Sequence, residues 1–172
     1  MAYEYQTITD NTKNTIIKLV GTFDGSTNES NTARIQANTL YGALDVDGNP
    51  LNSELSSANT ARTYYQTTVS KIIYDVNFPK PGYVKLYWSG ATPATIATLS
   101  GFGEICGENV GTPIIPNNAE TPNGDIGIET FGAAENSSYT IIIELKKSGG
   151  DYDAGQFSDP LSFNHGKYGI TP

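Results

Sequence analysis

Residues that carry chemistry are scarce in this sequence. Its 172 residues include one cysteine, one histidine, one methionine and one tryptophan. A single cysteine excludes an internal disulfide framework and any zinc site built on paired thiolates. The lone histidine, His165, leaves little for a histidine-rich metal or catalytic cluster. Charge is sparse as well: 16% of residues are Asp, Glu, Lys or Arg, against roughly 25% in an average globular protein. The balance is 10 basic to 18 acidic, a net charge of -8. That balance argues against a nucleic-acid grip built on neutralising phosphates. Long apolar runs are missing too: no window approaches the roughly 18 consecutive apolar residues of a membrane-spanning helix. The opening Met1-Ala2-Tyr3-Glu4-Tyr5-Gln6-Thr7 has neither the basic nor the apolar region of a secretory signal. The chain is therefore expected to be made in a cytoplasm and to stay soluble. The sequons at Asn28 and Asn136 then carry little weight. Together these absences lean away from an enzyme, and no catalytic residue, cofactor or metal is expected.

What is present is Thr, Asn, Ser and Gly, with 11 tyrosines and 18 glycines. The length fits one domain and is enough to bury roughly 70% of the unfolded surface. Helical periodicity is almost absent. Short runs of Thr, Ile, Val and Tyr alternate between clusters of Gly, Pro, Asn and Asp, the pattern of a sandwich or barrel. Strands are expected at 15–23, 32–37, 63–76, 83–88, 94–99, 125–131 and 138–146. In the 63–76 run, Ser70, Ile72, Tyr74 and Val76 form the more apolar face and are assigned to the core, opposite Val69, Lys71, Ile73 and Asp75. Val84, Leu86 and Trp88 share one face of the 83–88 strand. Ile126, Ile128 and Thr130 share one face of 125–131. Tyr139, Ile141, Ile143 and Leu145 share one face of 138–146. Residues 42–61 read as a long loop with room for a short helical turn, Pro79–Gly82 as a turn, and 101–122, with its glycines and prolines, as irregular.

Beyond Lys147 the pattern stops. Residues 148–172 are rich in Gly, Asp and Ser with isolated apolar side chains, which reads as an extended arm. Spaced aromatics on such an arm can anchor it to a neighbouring subunit, with the ordering cost met on binding. Tyr152, Phe157, Leu161, Phe163 and Tyr168 are the candidate partner-binding residues, joined at the other end by Tyr3 and Tyr5.

Several motifs invite a chemical reading. Asp45-Val46-Asp47-Gly48-Asn49 looks briefly like a calcium loop, but its glycine comes too early, and an Asp-Gly turn is the plainer reading. Cys106 has no histidine nearby in sequence to act as its base, so a loop cysteine on a small apolar patch is expected. The carboxylates Asp75, Glu104, Glu108, Asp125, Glu129 and Glu144 show no mark of a glycosidase pair and are expected on solvent faces. Tyr83–Trp88 could form an aromatic platform for sugars, but Trp88 shares parity with Val84 and Leu86, which favours a core strand.

The strand texts Ser70-Lys71-Ile72-Ile73-Tyr74-Asp75-Val76, Val84-Lys85-Leu86-Tyr87-Trp88, Leu99-Ser100-Gly101, Gly124-Asp125-Ile126 and Ser138–Lys147 resemble those of small structural proteins of tailed bacteriophages, especially of marine and cyanobacterial hosts. The opening strand Thr15 to Gly21 fits the same pattern. The 40–62 stretch and the 148–172 tail depart from it in length. The resemblance implies a virion component, a head decoration or cement protein, with no catalytic residues to carry over.

The expectation is thus an all-β antiparallel sandwich, jelly-roll-like, at 1–147, with long loops and an extended arm at 148–172. Its expected place is the outer surface of a virion capsid, where it binds the major capsid protein and copies of itself and reinforces contacts between capsid subunits. No nucleic acid or membrane is expected as a partner. A head–tail connector or tail component, and a glycan-binding module for host attachment, are the alternatives.

Overall fold

The computed structural model describes residues 1–25, 27–30, 32–51, 60–106 and 115–153. Nine strands run in the order β1 (Ala2–Asp10), β2 (Asn14–Thr22), β3 (Thr32–Ile35), β4 (Thr67–Asn77), β5 (Tyr83–Trp88), β6 (Ala94–Leu99), β7 (Gly101–Cys106), β8 (Ile126–Phe131) and β9 (Ser138–Lys147). They form two antiparallel sheets, one ordered β1-β2-β9-β4-β7 and the other β3-β8-β5-β6. Leaving β1 aside, the sheets read 2-9-4-7 against 3-8-5-6, which is the strand order of a jelly roll. β1 is an added edge strand beside β2. A 3-10 turn at Ala37–Thr39 is the only helical element among the described residues, and no helix there is long and apolar enough to cross a membrane.

The alternation read from sequence places the core correctly on most strands. Ile17 and Leu19 of β2, Ile141, Ile143 and Leu145 of β9, Val84, Leu86 and Trp88 of β5, and Ile126 and Ile128 of β8 are buried between the sheets. Each such aliphatic side chain contributes roughly 1.5–3 kcal/mol on burial. The Pro79–Gly82 turn is present, closed by the Gly82 amide on the Pro79 carbonyl at 2.6 Å.

Four expectations need correction. β1 is a strand although no run of apolar residues marks it; it lies at a sheet edge with only Tyr3 and Asp10 half-buried, so backbone pairing with β2 and not burial defines it. β7 is a regular strand within the stretch read as irregular. In β4 a register shift between Val69 and Lys71 breaks the alternation, so Val69 is buried together with Ile72 and Val76. Finally, residues 148–153 belong to the domain. The Ser148 amide bonds the Gln66 carbonyl, the Leu44 amide bonds the Asp151 carbonyl, and the Asp153 amide bonds the Gly42 carbonyl.

The glycines of β7 explain why it escaped notice, and the same device recurs twice. Gly103 lies directly across from Tyr74, Gly21 from Tyr139, and Gly127 from Tyr87. In each pair the phenol end of the tyrosine occupies the space that a Cβ on the glycine would need. A Cβ at Gly21 would sit 2.3 Å from Tyr139 Cε1, one at Gly103 2.7 Å from Tyr74 Oη, and one at Gly127 2.2 Å from Tyr87 Cζ. Glycine in a strand interior ordinarily weakens it; here the ring replaces the missing packing. Gly21→Ala should therefore destabilise the domain by about 1–3 kcal/mol through overpacking against the buried Tyr139. Gly149→Ala, whose Cβ would meet nothing within 4 Å, should stay within about 0.5 kcal/mol of the parent. Urea denaturation of the two variants measures the difference.

Candidate functional site

The five-stranded sheet is one strand wider than its partner, so the core-facing side of β1 overhangs. Tyr3, Tyr5 and Thr7 lie across from Gly21, Leu19 and Ile17, on the side that faces the other sheet. Only the four-residue β3 stands opposite. The result is a cleft of about 310 Å³ lined by Tyr5, Thr7, Asp10, Arg34, Gln36 and Thr39, among others.

Its floor is a charged network. Glu29 is buried, with a side chain 1% exposed. Its backbone is tied to β8, where the Glu29 amide donates to Thr130 Oγ1 at 2.7 Å and the Thr130 amide donates to the Glu29 carbonyl at 3.0 Å. Arg34 donates to Glu29 Oε1 at 2.5 Å, and the Tyr139 hydroxyl donates to Oε2 at 3.1 Å. The Arg34 guanidinium also lies 3.9 Å from the centroid of the Tyr3 ring, a cation–π contact. Burial pushes the Tyr3 phenol up to about 12, with Arg34 opposing and Glu29 adding to the rise. Tyr139 is raised further, by burial and then by the Glu29 charge. Burial raises Tyr5 as well.

A second cluster forms the far end of the cleft. The Lys147 side chain is fully buried. Its ammonium donates to Asp10 Oδ1 and, at 2.8 Å each, to the carbonyls of Asn11 and Tyr41. Asp10 also accepts from the Thr15 hydroxyl and, at 2.8 Å, from the Tyr41 amide. Burial lowers the pKa of Lys147, and Asp10 draws it partly back. Both charges that line the cleft, Arg34 and Asp10, are thus already engaged by opposite charges. What the cleft offers is Tyr5 as an aromatic surface beside hydroxyl and amide groups, a lining suited to a neutral polar partner surface. A smaller cleft of about 200 Å³ includes Arg62, Tyr65, Asn123 and Asp125 in its lining. Burial raises the Asp125 carboxyl, and the Ala37 amide that it accepts at 2.8 Å partly offsets the rise.

Of the residues singled out in the sequence, Tyr3 and Tyr5 come together on β1, Tyr5 partly exposed and Tyr3 half-buried beneath Arg34. Tyr152 does not belong to an arm. It is buried, bridges Ala43, donates to the Ala37 carbonyl at 2.9 Å and packs 5.6 Å from the Tyr65 ring. Phe157, Leu161, Phe163 and Tyr168 lie outside the described residues. Tyr87 and Trp88 are buried, in keeping with the core-strand reading of 83–88. Asp45 makes the expected turn, its carboxylate accepting from the amides of Asp47 at 2.9 Å and Asn49 at 2.8 Å. Glu104 and Glu129 stand on outer faces, paired with Lys71 and Lys85; Glu108 lies outside the described residues. Among the described residues no three His, Cys, Asp or Glu side chains gather as a metal site would require. Sequence reasoning missed Glu29 and Lys147, because nothing local marks a carboxylate or ammonium whose partners come from distant strands. No family model matches the chain, and comparison with curated proteins and with solved structures finds no match either.

Two measurements check this network. Arg34→Ala leaves a buried carboxylate without its cation and should cost about 3–5 kcal/mol, whereas replacing both Glu29 and Arg34 by Met should cost far less. The tyrosines set the alkaline limit. In the unfolded chain Tyr3 ionises near 10, whereas in the fold its pKa is about 12. Between those values the folded state binds more protons, so stability that is intact below pH 10 falls as the pH rises. The tyrosinate absorbance of Tyr3, taken as the difference between the parent and Tyr3→Phe, should therefore appear together with loss of the β-sheet circular dichroism signal, and a Tyr3 transition separate from unfolding would contradict the assignment.

Proposed function

We propose that the chain is a structural component of a bacteriophage particle that decorates the outer head surface and bridges neighbouring capsid subunits. Two things support the reading. One is the resemblance of its strand texts to those of small phage structural proteins. The other, which carries it, is that both edges of the five-stranded sheet carry exposed apolar side chains, in addition to those exposed elsewhere, such as Val46 and Phe131. Tyr5 and Ile8 project from β1, and Phe102 from β7, with Ile73 near it on β4. β1 and β7 are the two opposite edges of one sheet, about 19 Å apart at ordinary strand spacing. Exposed apolar groups on opposite edges suit a molecule that touches two neighbours at once. Each contact is modest, and symmetry multiplies it across the shell.

The β1 edge, with its cleft, is the surface assigned to the major capsid protein. The candidate arm residues beyond Asp153 would add to that attachment. Quantitative mass spectrometry of purified particles should find on the order of hundreds of copies per particle, as a decorated symmetric shell requires. About six or twelve copies would move the chain to a connector or tail ring, and its absence from particles would overturn the reading. Ile8→Asp should lower head occupancy at least tenfold with an unchanged fold.

A further inference from the structure

Four strands lie at sheet edges, and three of them are defended against pairing with another chain. β3 is four residues long. β1 has a register shift between Thr7 and Thr9 and carries Glu4 and Asp10. β6 follows Pro93 and is shifted in register against β5. β7 has none of these devices beyond Gly101, its first residue, which takes a left-handed φ of 71°. Its six residues pair with β4 in unbroken register from Lys71–Cys106 to Val76–Gly101. It holds no proline, and its one charge, Glu104, is paired with Lys71 at 3.0 Å. Among the described residues no strand pairs with its outer edge. An undefended edge of this kind is a template for another strand.

The tyrosine–glycine pairs sharpen the point. Where Tyr139 covers Gly21, a third strand stands beyond the glycine, with Tyr3 in register. Where Tyr87 covers Gly127, Ala33 of β3 stands beyond it. Where Tyr74 covers Gly103, the position of the third strand is open. On the other face of the same strand, Phe102 is 87% exposed.

We infer that β7 pairs antiparallel with β7 of a second copy of the chain, about a two-fold axis at Gly103, so that the two five-stranded sheets become continuous. The strand is its own complement in this register. Gly103 faces Gly103, Phe102 faces Glu104, and the small Gly101 faces the larger Ile105. Centring on Glu104 instead would oppose two carboxylates, which is unfavourable. Charge also favours this edge for self-association. Copies of net charge -8 repel, but at β7 the only charge is already neutralised by Lys71. The inference goes beyond the proposed function and needs no capsid.

Sedimentation velocity on the full chain over about 1–100 µM should show a reversible dimer, tightened by raising salt from about 0.05 to 0.5 M as the net repulsion is screened. Hydrogen exchange should show protection of residues 101–106 that grows with concentration. Phe102→Glu, at a solvent-exposed position, sets a carboxylate opposite Glu104 of the second copy and should weaken the dimer at least tenfold with unchanged thermal stability and remove that protection. Ile8→Asp should leave the dimer intact. A chain that stays monomeric throughout, or a dimer indifferent to Phe102→Glu and without protection at 101–106, would overturn the inference. Loss of head binding alone would count against the capsid assignment and leave this one standing.

Discussion

A tyrosine filling the space above a glycine on the next strand is the constraint on which much of this sandwich depends. A glycine in a strand gives up packing and conformational entropy. A tyrosine in a strand needs somewhere to put a large ring. Placed opposite each other, each supplies what the other lacks. Tyr139 over Gly21 does more than fill space: it carries its hydroxyl across β2 to the Glu29 carboxylate, on the segment leading into β3. The pairing thereby couples the inner face of one sheet to the edge of the other, and the overhang of β1 is built around it.

Charges are used sparingly and at the margins. The apolar core lies between the sheets, whereas Glu29 with Arg34 and Lys147 with Asp10 close its β1 side, and Arg62 holds the end of the described chain. Buried pairs are weak sources of net stability once desolvation is counted, and their best-attested role is to fix one arrangement among several. Here Lys147 ties the last residue of β9 to the β1–β2 turn and to the loop at Tyr41. Arg62 donates to the carbonyls of Asp45 and Gly150 and to the Asp151 carboxylate. Each cation collects three separate chain segments. In a fold whose connections repeatedly cross from one sheet to the other, such collection fixes the path of the loops.

The sandwich was legible in the sequence because alternation over β2, β5, β8 and β9 is a local signal, whereas the order of its strands was not. What stayed hidden has two physical causes. No residue of β1 or β7 is fully buried, so neither gives a clear apolar signal, and the glycines of β7 read as breakers until the facing Tyr74 is known. The rest depends on partners remote in sequence. Nothing around Glu29 announces Tyr139, and nothing around Tyr152 announces Ala37 and Ala43. An isolated tyrosine in a glycine-rich tail looks the same whether it is a free anchor or a core residue. Tyr3 and Tyr5 were singled out as surface aromatics near the start of the chain, and the cleft between β1 and β3 gives them a setting that the sequence did not.

The burial of Tyr152 has a mechanical consequence. Force applied to the chain beyond Asp153 reaches the domain first at the Asp153–Gly42 hydrogen bond, then at the Tyr152 ring under Ala37, then at the Asp151–Arg62 ion pair. Only after those have yielded does the load arrive at β9, the central strand of the sheet. The short segment acts as a strain relief, in the manner of a cable knotted before its terminal. A tether leaving this end could be tugged hard by whatever holds it without peeling the strand on which both neighbouring strands depend.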